Sequence, residues 1–186
     1  MLSELLQKNN PLKILHELLQ IDRDFLQELK SKKCPHCGGP LHESNYKRKP
    51  CGIPKNIEIP EKYLIRYSLC CGHCRKRCMP PSCRFMGRRV YWQWVIILII
   101  TIQQEGKISL KKLCDKFKVQ AITIYRWREY FQEIFPATKQ WQRLRGLVGV
   151  EIKDTELPGT LLMYFINKCK NGVKGIIQCI KFLVLV

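Results

Sequence analysis

Acidic residues are scarce in this chain: 15 Asp and Glu stand against 33 Lys and Arg in 186 residues, a formal charge of +18. The scarcity is local. From Lys30 to Tyr91 there are 15 basic and 3 acidic residues, while the rest carries 18 and 12. A segment of that cationic density attracts polyanions, with nucleic acid the first candidate and an anionic membrane surface the second. The shortage of carboxylates also argues against one class of enzyme. An enzyme that cuts DNA with two Mg²⁺ ions needs widely spaced carboxylates from different strands to hold them. After Pro136 only Glu151, Asp154 and Glu156 are left, all within six positions. That cluster reads as a polar loop, and no catalytic activity is expected.

Long hydrophobic runs are missing as well. The longest, "YWQWVIILIITI" (91–102), has 12 residues and is interrupted by Gln93 and Thr101. The stretch "GIIQCIKFLVLV" (175–186) carries Lys181. A bilayer span needs about 20 apolar residues, so neither is read as one, no membrane partner is expected, and the first should be a buried helix. Nothing in the first thirty residues resembles a secretory leader; they follow an amphipathic helical pattern broken by Pro11. The 11 cysteines are therefore not read as a disulfide framework. An odd count, paired at CxxC spacing, points to the reducing cytoplasm and to metal. No internal repeat is evident.

What is present divides the chain into four parts. Apolar content of 46% suffices for a core. Residues 1–31 read as a helix, with Leu12, Ile14, Leu15, Leu18, Leu19, Phe25 and Leu26 near the helical period. Residues 32–90 concentrate Cys, Pro and Gly, with the alternating strand "YLIRYSL" and a proline-bearing loop over 47–63. Residues 91–136 are strongly helical around a turn. Residues 137–186 hold short helices of unclear role. The expected fold is mainly α with a small β zinc ribbon: an N-terminal helix, the ribbon, a helix-turn-helix bundle and a short helical C-terminal tail.

Cys34-Pro-His-Cys37-Gly-Gly and Cys71-Gly-His-Cys74 each offer two thiolates from one tight turn, and together they make the tetrahedral shell that zinc prefers. Two such knuckles, each at the end of a β-hairpin, form a zinc ribbon, and so short a region would hardly fold without its metal. Cys70 in place of Cys71, or Cys51 or Cys78 joining the shell, are the alternatives. His36 and His73 read as exposed turn residues. The zinc is expected to be structural, because four thiolates leave no open position for water.

In "RKRCMPPSCRFMGRRVYWQW" (75–94), Arg75, Lys76, Arg77, Arg84, Arg88 and Arg89 are candidate phosphate contacts. Phe85, Tyr91 and Trp92 either cover bases or pack on the helix behind them. In "LKKLCDKFKVQAITIYRWREYF" (110–131), Leu113, Cys114, Phe117, Val119, Ile124 and Trp127 occupy the packing positions of a helix-turn-helix. Ser109 is a natural N-cap, and Lys118 stands where the turn glycine is usual, which calls for a left-handed lysine or a modified turn. In that register Gln120, Ala121, Ile122, Tyr125 and Arg126 face outward at the start of the second helix. Gln and Arg can read adenine and guanine edges, while Lys111, Lys112, Lys118 and Arg128 suit phosphates.

The series CPxCGG…CxxC, "RKRCMPPSCRFMGRRVY" and "IYRWREYFQEIFP" resembles uncharacterised bacterial transposase-like proteins of mobile elements, which carry an N-terminal zinc ribbon followed by a helix-turn-helix. The resemblance covers about residues 33–137, most specifically "PPS-RF-GRRVY" and "YRWREYF-EIFP". It implies binding of double-stranded DNA at element ends or a regulatory site, with Cys34, Cys37, Cys71 and Cys74 as the metal shell. A transposase or a second copy of the chain would be a further partner. Cys78, Cys83 and the hydrophobic stretch after about residue 170 depart from the pattern. The alternative function is a zinc-ribbon adaptor that binds a protein partner and has only non-specific affinity for nucleic acid. A metal-dependent nuclease is the third.

Overall fold

The computed structural model describes residues 11–52, 57–86, 91–106, 108–148 and 152–184. It is mainly helical with small antiparallel sheets. Helix α1 (Pro11–Ser31) buries Ile14, Leu15, Leu18, Leu19, Phe25 and Leu26, a stripe at three- and four-residue spacing that also contains Asp22. Short pieces follow: β1 (Leu41–Glu43), β2 (Tyr46–Lys47), a single turn α2 (Glu61–Leu64), β3 (Ile65–Arg66), β4 (Leu69–Cys71), β5 (Arg77–Cys78), β6 (Phe85–Met86) and β7 (Tyr91–Trp92). Strands β1, β4 and β5 form one sheet with Leu41 opposite Cys71 and Leu69 opposite Cys78. β2 pairs with β3, and β6 with β7.

The expected continuous strand "YLIRYSL" is broken into three. Tyr63 and Leu64 belong to α2, which starts after Pro60. Ile65 and Arg66 pair with β2, and only Leu69 onward joins the larger sheet. Between them Tyr67 and Ser68 are both buried, so the residues cannot alternate between a wet and a dry face. Side chains replace the ladder there: the Ser68 N–H donates to Asn45 Oδ1, 3.1 Å, and the Ser68 hydroxyl donates to the Ser44 carbonyl.

The helical body is built round α3 (Gln93–Gln104), in which every residue from Gln93 to Ile102 is buried. After it come α4 (Leu110–Phe117) and α5 (Ala121–Glu129), which runs on through a π turn (Tyr130–Ile134) and a 3₁₀ turn (Phe135–Ala137). The chain then forms α6 (Lys139–Val148), a 3₁₀ turn (Asp154–Glu156), α7 (Gly159–Cys169) and α8 (Gly172–Val184). A helix apolar on all sides must be covered on all sides, and α5, α7, α8 and β7 cover α3. Within 137–186, expected as a tail of unclear role, α7 and α8 thus supply two walls of the core, and α8 also lies against α1. Gly175 makes the α7–α8 contact possible, since a Cβ there would sit 2.6 Å from the Ile166 Cα. Asp154 accepts bonds from Trp141 Nε1 (2.8 Å) and Arg145 (3.0 Å) and anchors this part of the chain. Glu151 lies outside the described residues. No helix among them is long and apolar enough to cross a membrane.

Candidate metal centre and nucleic-acid interface

Lys33, with a left-handed φ of 62°, turns the end of α1 into Cys34. The Cys34–Cys37 knuckle closes as the Gly38 N–H donates to Cys34 O (2.8 Å) and the Cys34 N–H to Gly39 O (3.0 Å). The Cys71–Cys74 knuckle joins β4 to β5, with the Arg75 N–H on Cys71 O (3.1 Å) and the Cys71 N–H on Lys76 O (3.0 Å). Only this second knuckle lies between paired strands. The first is entered from a helix, because α1 reaches Ser31 and leaves no room for a strand before Cys34.

The four sulfurs converge to within 4.8 Å of one another. Cys34 and Cys74 sulfurs are 3.7 Å apart, Cys37 and Cys71 sulfurs 3.5 Å. Metal–thiolate bonds of about 2.3 Å at tetrahedral angles separate sulfurs by about 3.8 Å, so these residues fit a tetrahedral ion. Strand alternation chooses between the neighbouring cysteines: Cys71 is fully buried toward the group, and the Cys70 thiol turns to Arg75 O, 3.4 Å away. Cys51 is exposed and bridges to Tyr91 instead. Cys78, buried on β5, is outside the four.

The sulfurs do not ionise independently. Burial pushes the Cys34 thiol up, yet the N–H groups of His36 and Cys37 and the thiols of Cys74 and Cys71 hold it down at about 6. Cys71 is lowered against burial by the N–H groups of Cys74 and His73. Cys74 receives the Lys76 N–H, but burial and the three neighbouring sulfurs push it up to about 12. A bound cation would have to displace the Cys74 proton, so metal affinity rises with pH. Gly39 closes the cage from one side. A Cβ there would lie 2.8 Å from His73 Nδ1 and 3.1 Å from Cys71 Sγ.

One arginine of the basic connector departs from expectation. Arg84, read as a phosphate contact, has no exposed surface and pairs with the equally buried Asp22 at 2.8 Å. Its other nitrogens donate to Tyr63 O and Ile65 O, both at 2.8 Å. Asp22 also accepts from the Ser82 hydroxyl (2.7 Å) and the Cys83 N–H (2.6 Å). The segment is therefore a strap fastening the β pieces to α1. Its aromatics pack as well: Phe85 stacks on the buried Trp92 (5.3 Å), and Tyr91 meets Trp127 edge-on (4.8 Å). Arg77 is exposed but held on the sheet by Ser68 (3.2 Å) and Ser44 (3.4 Å). Arg75 and Lys76 are exposed at the second knuckle. Arg88 and Arg89 lie outside the described residues. The sequence reading missed Asp22, whose signal was a lone carboxylate inside the apolar stripe of α1.

Helices α4 and α5 meet through a tight turn. The Lys112 N–H donates to Ser109 Oγ (3.5 Å), and Lys118 is left-handed with φ 52° and ψ 44°. Leu113, Phe117, Val119 and Ile124 are buried, with Cys114 and Trp127 half-buried. A Cβ on Gly52 would lie 3.3 Å from Val95 and 3.7 Å from Val119, so the loop after β2 reaches this turn. Away from Ile124, the side chains of Ile122, Tyr125, Arg126 and Glu129 are exposed, Ala121 is half-buried at the edge, and Gln120, the N-cap of α5, is exposed at its start. Lys111, Lys112 and Lys118 are also exposed, and none of these cations makes an ion pair among the described residues. Arg128 is exposed as well, one turn beyond Ile124, and donates to Gln132 (2.9 Å), which donates in turn to Thr155 O (2.9 Å).

No protein-family model, curated protein or solved structure matches this chain.

Proposed function

We propose that this is a zinc-stabilised DNA-binding protein of a bacterial mobile element, working in the cytoplasm as a transposase-like fragment, accessory factor or regulator. Zinc at Cys34, Cys37, Cys71 and Cys74 holds a ribbon, and α4–turn–α5 is a helix-turn-helix whose second helix enters the major groove. One observation carries this: Gln120 at the N-cap of α5 and Arg126 on the helix are exposed, Lys111, Lys112 and Lys118 are exposed and make no ion pair among the described residues, and Ile124 seals the inner face of α5. Gln120 and Arg126 read base edges, while the lysines with Arg75 and Lys76 neutralise phosphates. The protein cuts nothing. Four thiolates close the metal shell, and Asp154 and Glu156 are engaged by Arg145 and Lys153.

The test is selection of duplexes from a random library with the zinc-loaded chain, followed by gel shift against unrelated competitor. A preferred sequence should emerge, and Arg126→Ala should cost about 1–3 kcal/mol at one base pair and relax preference there. Equal competition by random DNA would point to the protein-binding adaptor instead. Duplex cleaved in Mg²⁺ or Mn²⁺ would overturn the non-catalytic assignment.

A further inference from the structure

Two side chains on the outward face of α5 have no polar chemistry to offer a base edge or do so only at their tip. Ile122 is 53% exposed and Tyr125 49% exposed, two of the five large hydrophobic side chains that the described residues leave in water. They are three positions apart, which puts them side by side on one face of a helix. Gln120 precedes the pair and Arg126 follows it. In water that placement leaves apolar surface uncovered. The surrounding charge argues for a polyanion as the cover: Lys111, Lys112, Lys118 and Arg126 are exposed on α4, the turn and α5, against the exposed carboxylates Asp115 and Glu129.

From this we propose that Ile122, with the ring of Tyr125 beside it, is a specificity-determining contact to the 5-methyl group of thymine. The proposal rests on the DNA-binding function given above and narrows it. In the major groove only thymine, among the four bases, presents an apolar group, and aliphatic side chains meet it by contact and not by hydrogen bonding. The target therefore contains a thymine within the base pairs lying under the first turn and a half of α5. Glu129, further along the same face, is repelled by phosphate and confines the close approach to the N-terminal part of the helix. The same contact favours DNA over RNA, whose uracil lacks the methyl and whose deep, narrow major groove excludes side chains.

The test uses the zinc-loaded full chain and the duplex selected above. Each thymine is replaced singly by deoxyuridine, which removes the methyl and leaves every hydrogen-bonding group in place. At one position affinity should fall about three- to fivefold, the worth of one buried methyl. With Ile122→Ala, a surface change that leaves the core untouched, the same replacement should have no effect. Sequence-selective binding that is indifferent to deoxyuridine everywhere, or a loss that persists unchanged in Ile122→Ala, overturns the thymine contact while leaving DNA recognition standing. Absence of any selected sequence overturns DNA recognition itself. Self-association abolished by Ile122→Ala, with DNA affinity unaltered, would show that a second copy covers the pair and would likewise overturn the contact.

Discussion

At the residue scale, the buried pair of Asp22 and Arg84 has the largest energetic stake. Both side chains are fully removed from water, and Arg84 uses its remaining donors on two main-chain carbonyls. Ions so desolvated add little net stability as a pair, but removing one partner strands the other in an apolar surround. Asp22→Asn is therefore expected to destabilise the fold by about 3–5 kcal/mol in denaturant unfolding. The double variant Asp22→Asn/Arg84→Met should be less damaged than additivity requires, and strict additivity would show that the two residues act separately. Arg84 also marks where sequence reading stops. Its neighbours Arg75, Lys76 and Arg77 are exposed cations, and nothing within several residues distinguishes Arg84 from them. The difference is made 62 positions away, beyond any local pattern. The cysteines were legible because CxxC imposes its geometry within four residues, and the choice of Cys71 over Cys70 follows from strand alternation.

At the scale of the element, the α4–α5 turn was readable down to its one unusual residue. Ser109 caps α4, and of the two readings open at Lys118, a left-handed lysine or a modified turn, the structure has the first. The strand "YLIRYSL" misled because period-two hydrophobicity assumes one wet face, and Tyr67 and Ser68 are both buried. On α5, Arg126 and Arg128 look alike in sequence but differ by about 200° of helical rotation, two residues at 3.6 per turn. Both are exposed, and Arg128 also donates to Gln132. Lys118 joins two requirements in one residue. A left-handed non-glycine backbone costs about 1 kcal/mol or more, so Lys118→Gly should raise stability by up to about 1 kcal/mol. The same change removes a cation from the proposed DNA face. Affinity for every duplex should fall, and the slope of log affinity against log salt should flatten by about one. Stability and affinity thus move in opposite directions, and a variant that gained or lost both would contradict one of the two roles.

At the scale of the whole molecule, two kinds of cohesion meet. The body around α3 has a large apolar core that includes Trp92, Trp94 and Trp141, all fully or almost fully buried. The β pieces have strands of two or three residues, below what a sheet needs to stand alone, and they are held by the cysteine cage and by the strap through Asp22. Metal binding at such a site supplies about 10–16 kcal/mol in isolated zinc-binding peptides, far more than the few buried apolar side chains of that part, such as Leu41 and Leu69. Strong chelation at neutral pH should therefore act unevenly. Far-UV circular dichroism should retain most of its helical signal, while proteolysis at the lysines and arginines of residues 41–78 becomes rapid. Binding to all duplexes should weaken, because Arg75 and Lys76 lose their fixed position. Base preference should persist, because α5 is positioned by α3 and α4 and not by the cage. Complete loss of the helical signal on chelation would show instead that the metal organises the entire chain, with α1, tied to both the strap and α8, as the route by which its loss spreads.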